Sequence, residues 1–211
     1  MRKKIIFCGT PEFSIASLNS LFQRQTELYY DLIGVITIPD QISGRGQKKQ
    51  QSPVKKEANH LNIHVLEPKN LNDDIFLRSI KALKPDLIIV VAFKKLPEIL
   101  FNIPTIGTIN IHASLLPKYR GAAPINWAII NGEKQTGLTT FFINNTIDTG
   151  DIITQIKIKI EPEWNAGDLY TVLMEHSDQI IKNTLEIVLQ KNQALIKQNE
   201  HENEKSKYAP K

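Results

Sequence analysis

Short aliphatic runs bounded by polar turns recur along this chain: KIIFC at 4–8, LIGVITI at 32–38, DLIIVVAF at 86–93 and GTINIH at 107–112. Their length and branched side chains predict strands, and the uniformly apolar run at 86–93 predicts a central parallel strand covered on both faces. The segments between them carry apolar residues at helical spacing. Thr10 suits an N-cap and Pro11 a first helical position, which predicts a helix from Pro11 to about Gln23 with Phe13, Ala16, Leu18, Leu21 and Phe22 inward. Ser52 opens a second helix over SPVKKEANHLN; a short strand follows around Val65, and a helix from Asn72 to Leu83.

Beyond His112 a helix is predicted from about Pro124 to Asn131-Gly132. TGLTTFFIN (136–144) and DIITQIKIKI (151–160) read as an antiparallel pair at a sheet edge, linked by the polar loop NTIDTG. Residues 166–190 read as one long amphipathic helix with Leu169, Val172, Leu173, Ile180, Leu185 and Val188 on its core side. Strands alternating with helices predict an α/β fold, a Rossmann-like open, mostly parallel sheet with helices on both faces. Ligands of such sheets bind beyond the carboxyl ends of the strands. That directs attention to Gly9-Thr10-Pro11, to Phe93 onward and to the end of GTINIH. The first loop is not G-x-G-x-x-G, and no phosphate-binding G-x-x-x-x-G-K-[ST] occurs, so a dinucleotide cofactor is not supported.

Composition narrows the class further. At 211 residues, 41% hydrophobic and 23% charged, the chain can bury a full core, and its net charge of +4 permits an acidic partner without requiring one. The lone Cys8 excludes an internal disulfide and a cysteine-only metal cage, and its apolar run predicts a buried, inert thiol. No apolar segment approaches the roughly 20 residues a bilayer requires. The run after MRKK is too short for a signal peptide, so a soluble cytoplasmic protein without membrane contact is expected. His60 and His64 stand four apart, but a helix end is predicted between them, and no second ligand cluster occurs; no metal is expected.

The candidate chemistry lies at the end of GTINIH. Asn110 and His112, two apart on a strand, share a face while Ile109 and Ile111 take the other. An amide donor beside a protonated imidazole can stabilise negative charge growing on a carbonyl oxygen. The imidazole needs a partner to hold its ring; Asp148 in the polar loop is the candidate, ahead of Asp151, which opens the next strand. Spacing alone leaves open whether the pair merely caps a strand end. Ser114-Leu115-Leu116-Pro117 leaves the strand as an extended segment, either offering backbone groups to a ligand or packing as a simple loop. Between Asp40 and Lys56, Arg45, Lys48, Lys49, Lys55 and Lys56 face Asp40 alone, and Gly44 and Gly46 loosen the backbone.

FCGTPEF, SGRGQKKQQSPVK, NIHASLLPKYRGAAPINWAIINGE, a TG at 136–137 and IDTGDI occur here in the order seen in methionyl-tRNA formyltransferases. The N-x-H and S-L-L-P block with a later D-x-G-D is similar to the wider group of folate-dependent formyltransferases. The resemblance implies 10-formyltetrahydrofolate as co-substrate, initiator methionyl-tRNA as acceptor and a role in translation initiation; a monomer is expected. It implies that Asn110 and His112 stabilise the tetrahedral oxyanion while Asp148 orients His112. Ser114, Leu115, Leu116 and Pro117 would line the folate site, and Val91, Ala92 and Phe93 would wall its pterin pocket. Many relatives carry Tyr-Gly where this chain has Phe93-Lys94. Arg45, Lys48 and Lys49 would grip the tRNA backbone, as in the family's tRNA-engaging insertion. The alternatives are a formyltransferase for an amino sugar or other small amine, and a non-catalytic tRNA- or folate-binding remnant. The family continues through a linker into a small β-barrel domain, whereas this sequence stops at KSKYAPK. A catalytic domain over 1–199 without that barrel is therefore expected, with 200–211 a polar tail or the start of a linker.

Overall fold

The computed structural model describes residues 1–43, 48–190, 195–198 and 208–210. They form an α/β fold whose main sheet has, among the described residues, seven strands. Two compact units share the chain, Met1–Thr108 and Ile109–Lys211.

The first unit contains β1 (Lys3–Gly9), α1 (Phe13–Gln23), β2 (Tyr30–Ile36), β3 (Gln41–Ser43), β4 (Lys48–Gln50), α2 (Pro53–His60), β5 (Val65–Leu66), α3 (Asp74–Leu83), β6 (Leu87–Val91) and α4 (Glu98–Phe101). β1 lies between β2 and β6, and β5 pairs with β2, all parallel. Every residue of β6 is buried, as a centrally placed strand requires. It stops at Val91, two residues short of the expected end, because Ala92 takes φ 47° and leaves the extended region. α1 begins at Phe13 rather than Pro11, and Thr10 does not cap it. Its entry turn closes through Ser14 N and Ile15 N donating to Pro11 O and Glu12 O, while Ser14 Oγ donates to Val91 O. A Cβ on Gly9 would meet Phe7 and Ser14 at 2.8 Å, so the turn out of β1 needs glycine. Ser52 and Asp73 cap α2 and α3 through Lys55 N and Phe76 N. The stretch after β2, where the hydrophobic pattern predicts no strand, contains β3 and β4, an antiparallel pair with Ile42 opposite Lys49. Hydrophobic alternation could not reveal it, since Ile42 is 66% exposed.

β7 (Gly107–His112) reaches into the second unit, which adds β8 (Arg120–Gly121), α5 (Pro124–Ile130), β9 (Gln135–Phe142), β10 (Ile152–Lys159), α6 (Ala166–Glu175), α7 (Ser177–Leu189) and β11 (Tyr208–Ala209). The order of the main sheet is β10-β9-β7-β6-β1-β2-β5. β9 runs antiparallel to both β7 and β10, the edge pair expected from the alternation. The single helix predicted over 166–190 is two helices. His176 breaks it: its Nδ1 donates to Val172 O at 2.8 Å, sharing that carbonyl with its own backbone N–H at 3.3 Å. Leu169, Leu173, Ile180, Leu185 and Val188 are buried on either side of the break. Residues 208–210 fall in the stretch expected to be a polar tail. They lie parallel to β8, with Ala209 fully buried.

Candidate active site

β7 delivers the two polar residues as alternation dictates. Ile109 and Ile111 are buried, Asn110 is half-buried, and His112, 6% exposed, sits opposite Thr139 of β9. The turn that follows is fastened from below. Thr139 Oγ1 donates to Ser114 O and accepts from Leu116 N and Gln155 Nε2; Gln155 Nε2 also donates to Leu116 O. Ser114 Oγ donates to Lys118 O at 2.6 Å, and Leu116 packs with Phe141 and Ile152. Leu116 thus has both backbone groups and its side chain engaged internally, while Leu115 and Pro117 are half-buried.

Tyr119 then takes φ 60° and turns its carbonyl toward His112, with Nε2 at 2.8 Å. A carbonyl only accepts, so Nε2 carries the proton and Nδ1 is the nitrogen on the other side of the ring. The Tyr119 hydroxyl donates to Glu133 Oε1 at 2.7 Å and accepts from Asn131 Nδ2. His112 Nδ1 faces Asp148, whose Oδ2 lies 3.8 Å away and accepts from Gly121 N at 2.9 Å. Asp148 occupies the left-handed region at φ 54°, which aspartate tolerates better than most residues and which points its carboxylate inward. The loop can turn this tightly because position 150 is glycine: a Cβ there would fall 1.6 Å from Phe142 O. Arg120 Nε donates to Asp148 O at 3.0 Å. Burial lowers the Arg120 guanidinium from its ordinary value, an effect that the Asp148 charge opposes.

The structure therefore brings His112 and Asp148 together, with Asn110 one pleat before them. Asp151 instead uses its carbonyl to accept from Phe142 N as β10 begins. Val91 ends β6 in the first unit, and Ala92 and Phe93 follow it: Val91 is buried, Ala92 exposed, and Lys94 stands over the Phe93 ring at 5.9 Å. Lys49 is exposed on β4, and Lys48 belongs to the same strand. Arg45 lies outside the described residues. Tyr119, Arg120, Thr139, Gln155 and Gln198 received no role from sequence. Tyr119 and Arg120 lie inside the motif NIHASLLPKYRGAAPINWAIINGE, while Thr139, Gln155 and Gln198 carry no local signal. Among the described residues no group of three His, Cys, Asp or Glu could hold a metal ion. Cys8 is fully buried, and burial pushes its thiol well above the ordinary range.

An open α/β sheet ending in an amide, an imidazole and a carboxylate defines a candidate group-transfer site, and the fold is that of formyltransferases of known structure. Phosphoribosylglycinamide formyltransferase from Bacillus halodurans superposes with a TM-score of 0.74 at 22% identity, over 90% of this chain and 97% of that one. An N-formyltransferase from Helicobacter canadensis, solved with folinic acid and dTDP-3-aminofucose, gives 0.73 at 24% identity, over 100% and 71%. Residues 2–185 match the formyl transferase family, and the chain belongs to it. It is 50% identical over 185 residues to the methionyl-tRNA formyltransferase of Flavobacterium johnsoniae, covering 88% of this chain and 58% of that protein. With the enzyme of that name from Azobacteroides pseudotrichonymphae it shares 47% over 213 residues, 100% of this chain and 64% of the relative. The chain spans about three fifths of the length of these relatives. No helix among the described residues is long and apolar enough to cross a membrane.

Proposed function

We propose that this chain carries the formyl-transfer step from 10-formyltetrahydrofolate to the α-amine of initiator methionyl-tRNA, as a cytoplasmic monomer supporting translation initiation. In this reading the amine nitrogen attacks the formyl carbon, giving a tetrahedral oxyanion. Its collapse breaks the bond to folate N10, and the proton lost by the amine is returned to N10. Asn110 donates to the oxyanion through its amide and a protonated His112 through Nδ1–H, since Nε2–H is held by the Tyr119 carbonyl; preorganised donors act most strongly there. Asp148 holds His112 and assists removal of the amine proton. The segment Ser114–Pro117 offers the folate its edge through Leu115 and Pro117. Arg45, Lys48 and Lys49 supply positive charge for the tRNA backbone, so tRNA use should weaken as salt rises.

The observation that carries the choice of acceptor is the 50% identity with the methionyl-tRNA formyltransferase of F. johnsoniae across 88% of this chain. The nearness of His112 to Asp148 supports the chemistry. The test is formylation of charged initiator tRNA by the chain with 10-formyltetrahydrofolate. Formyl-methionyl-tRNA is the expected product; turnover confined to small amines, or none with either acceptor, overturns the reading.

A further inference from the structure

The Asp148 loop has little packing of its own. Asn144 to Ile147 are exposed, Ile147 by 49%, and Asn144 Oδ1 accepts only near neighbours, Thr146 N and Thr149 Oγ1. What fixes the main chain at Asp148 comes from elsewhere. Beyond α7, Ile196 pairs with Ile152 in both directions at 2.8 and 2.9 Å, bringing residues 195–198 onto the start of β10. This sets the Gln198 amide between two partners. Its Nε2 donates to Asp148 O at 3.2 Å and Gly150 O at 2.8 Å, and its Oε1 accepts from Arg120 Nε and from a terminal guanidinium nitrogen. Arg120 in turn donates to Asp148 O. On the other side of Arg120–Gly121 lies β11: Ala209 O accepts from Ala122 N at 2.7 Å, and Trp127 Nε1 donates to Pro210 O. A Cβ on Gly121 would fall 2.4 Å from Ala209 O.

We propose that Gln198, acting through Arg120 and the Asp148 carbonyl, is a positioning residue that clasps Asp148 opposite His112, so that the segment after α7 belongs to the catalytic machinery. The inference rests on the formyl-transfer reading above. The 3.8 Å between His112 Nδ1 and Asp148 Oδ2 lies just beyond hydrogen-bond reach, so a small drift of the loop uncouples the pair. An amide is the one neutral side chain that can donate to two carbonyls with one end and accept from a guanidinium with the other.

Gln198→Met keeps the length of the side chain and removes all of these hydrogen bonds, which separates clasping from packing. In the full chain, kcat should fall about tenfold while KM for the formyl donor changes less than about twofold. In an Asp148→Asn background the same substitution should cost nothing further, since the residue it positions is already disabled. Unchanged kcat in Gln198→Met, or the same tenfold loss repeated in the Asp148→Asn background, overturns the proposal. A second measurement needs no turnover. Gly121 N–H donates to Asp148 Oδ2, so its hydrogen exchange should quicken in Gln198→Met, and an unchanged rate overturns the clasp. If the unsubstituted chain forms no product, the formyl-transfer reading fails, while the exchange rate still judges the clasp.

Discussion

The arm at 40–52 and the loop at 144–151 are both polar connections, yet they are held in opposite ways. The arm is a two-stranded ribbon whose described side chains, Gln41, Ile42, Lys49 and Gln50, stand in water. Its base is tied where Lys55 Nζ meets Asp40 Oδ1 at 2.6 Å and Glu67 Oε2 at 2.9 Å. The loop, exposed from Asn144 to Ile147, is fastened at Asp148 and Gly150, by Gly121 N to the Asp148 carboxylate, by Arg120 and Gln198 to its carbonyl, and by Gly150 pressed against Phe142. On the proposed function the loop would serve proton transfer and oxyanion stabilisation, which tolerate errors of a fraction of an ångström, and the arm attraction to a polyanion, which tolerates several. The two constructions suit those two demands.

The largest effect that separates them should come from the chemistry itself. Asn110→Ala and His112→Ala are each expected to lower kcat by about 10²–10³, the usual loss of one oxyanion donor. Steady-state kinetics at saturating tRNA checks this, and wild-type kcat in both variants would remove the pair from the mechanism. Next comes Gly150→Ala. The new Cβ would meet backbone, not a movable side chain, so Phe142 or the whole loop must shift, at a cost of about 3 kcal/mol. Gly132→Ala makes the opposite case: unlike Gly150 that residue has a positive φ, 62°, but nothing lies within 4 Å, so only the left-handed backbone penalty of about 1 kcal/mol applies. Denaturant unfolding of the two variants measures the difference.

The same contrast explains what could be read without coordinates. Strands β1, β2 and β6 were legible because each buries a run of aliphatic residues, and β7, β9 and β10 because apolar and β-branched residues recur along them; the shared face of Asn110 and His112 follows from the pleat alone. The β3–β4 ribbon was not legible, since it buries almost nothing and leaves no pattern. Nor was the break at His176, because a side chain competing for one carbonyl does not disturb a hydrophobic stripe that continues across it. Asp148 could be proposed from its loop, but its mate on the carbonyl side, Gln198, lies fifty residues further on and belongs to no local motif.

The smallest expected effect tests the base of the arm. The hydrogen bonds from Lys55 to Asp40 and then to Glu67 raise its ammonium above the ordinary value of 10.5, against the opposing effect of desolvation. Because the folded value is the higher one, the stabilisation is fully present below the unfolded pKa and is lost as pH rises through the folded one. At neutral pH the tie is intact. Lys55→Met should therefore remove it at every pH, leaving Asp40 released and Glu67, whose Oε1 is already buried without a partner, poorly compensated. Since the side chain is near the surface, the cost in global stability should be modest. The informative readout is KM for charged tRNA, which should rise about threefold, with KM for the formyl donor unchanged. An equal rise in both would mean that Lys55 supports the whole unit and that the arm has no separate anchor. A wild-type KM for tRNA would mean that the arm's placement does not matter to the acceptor, and the contrast with the fastened loop would lose its functional meaning.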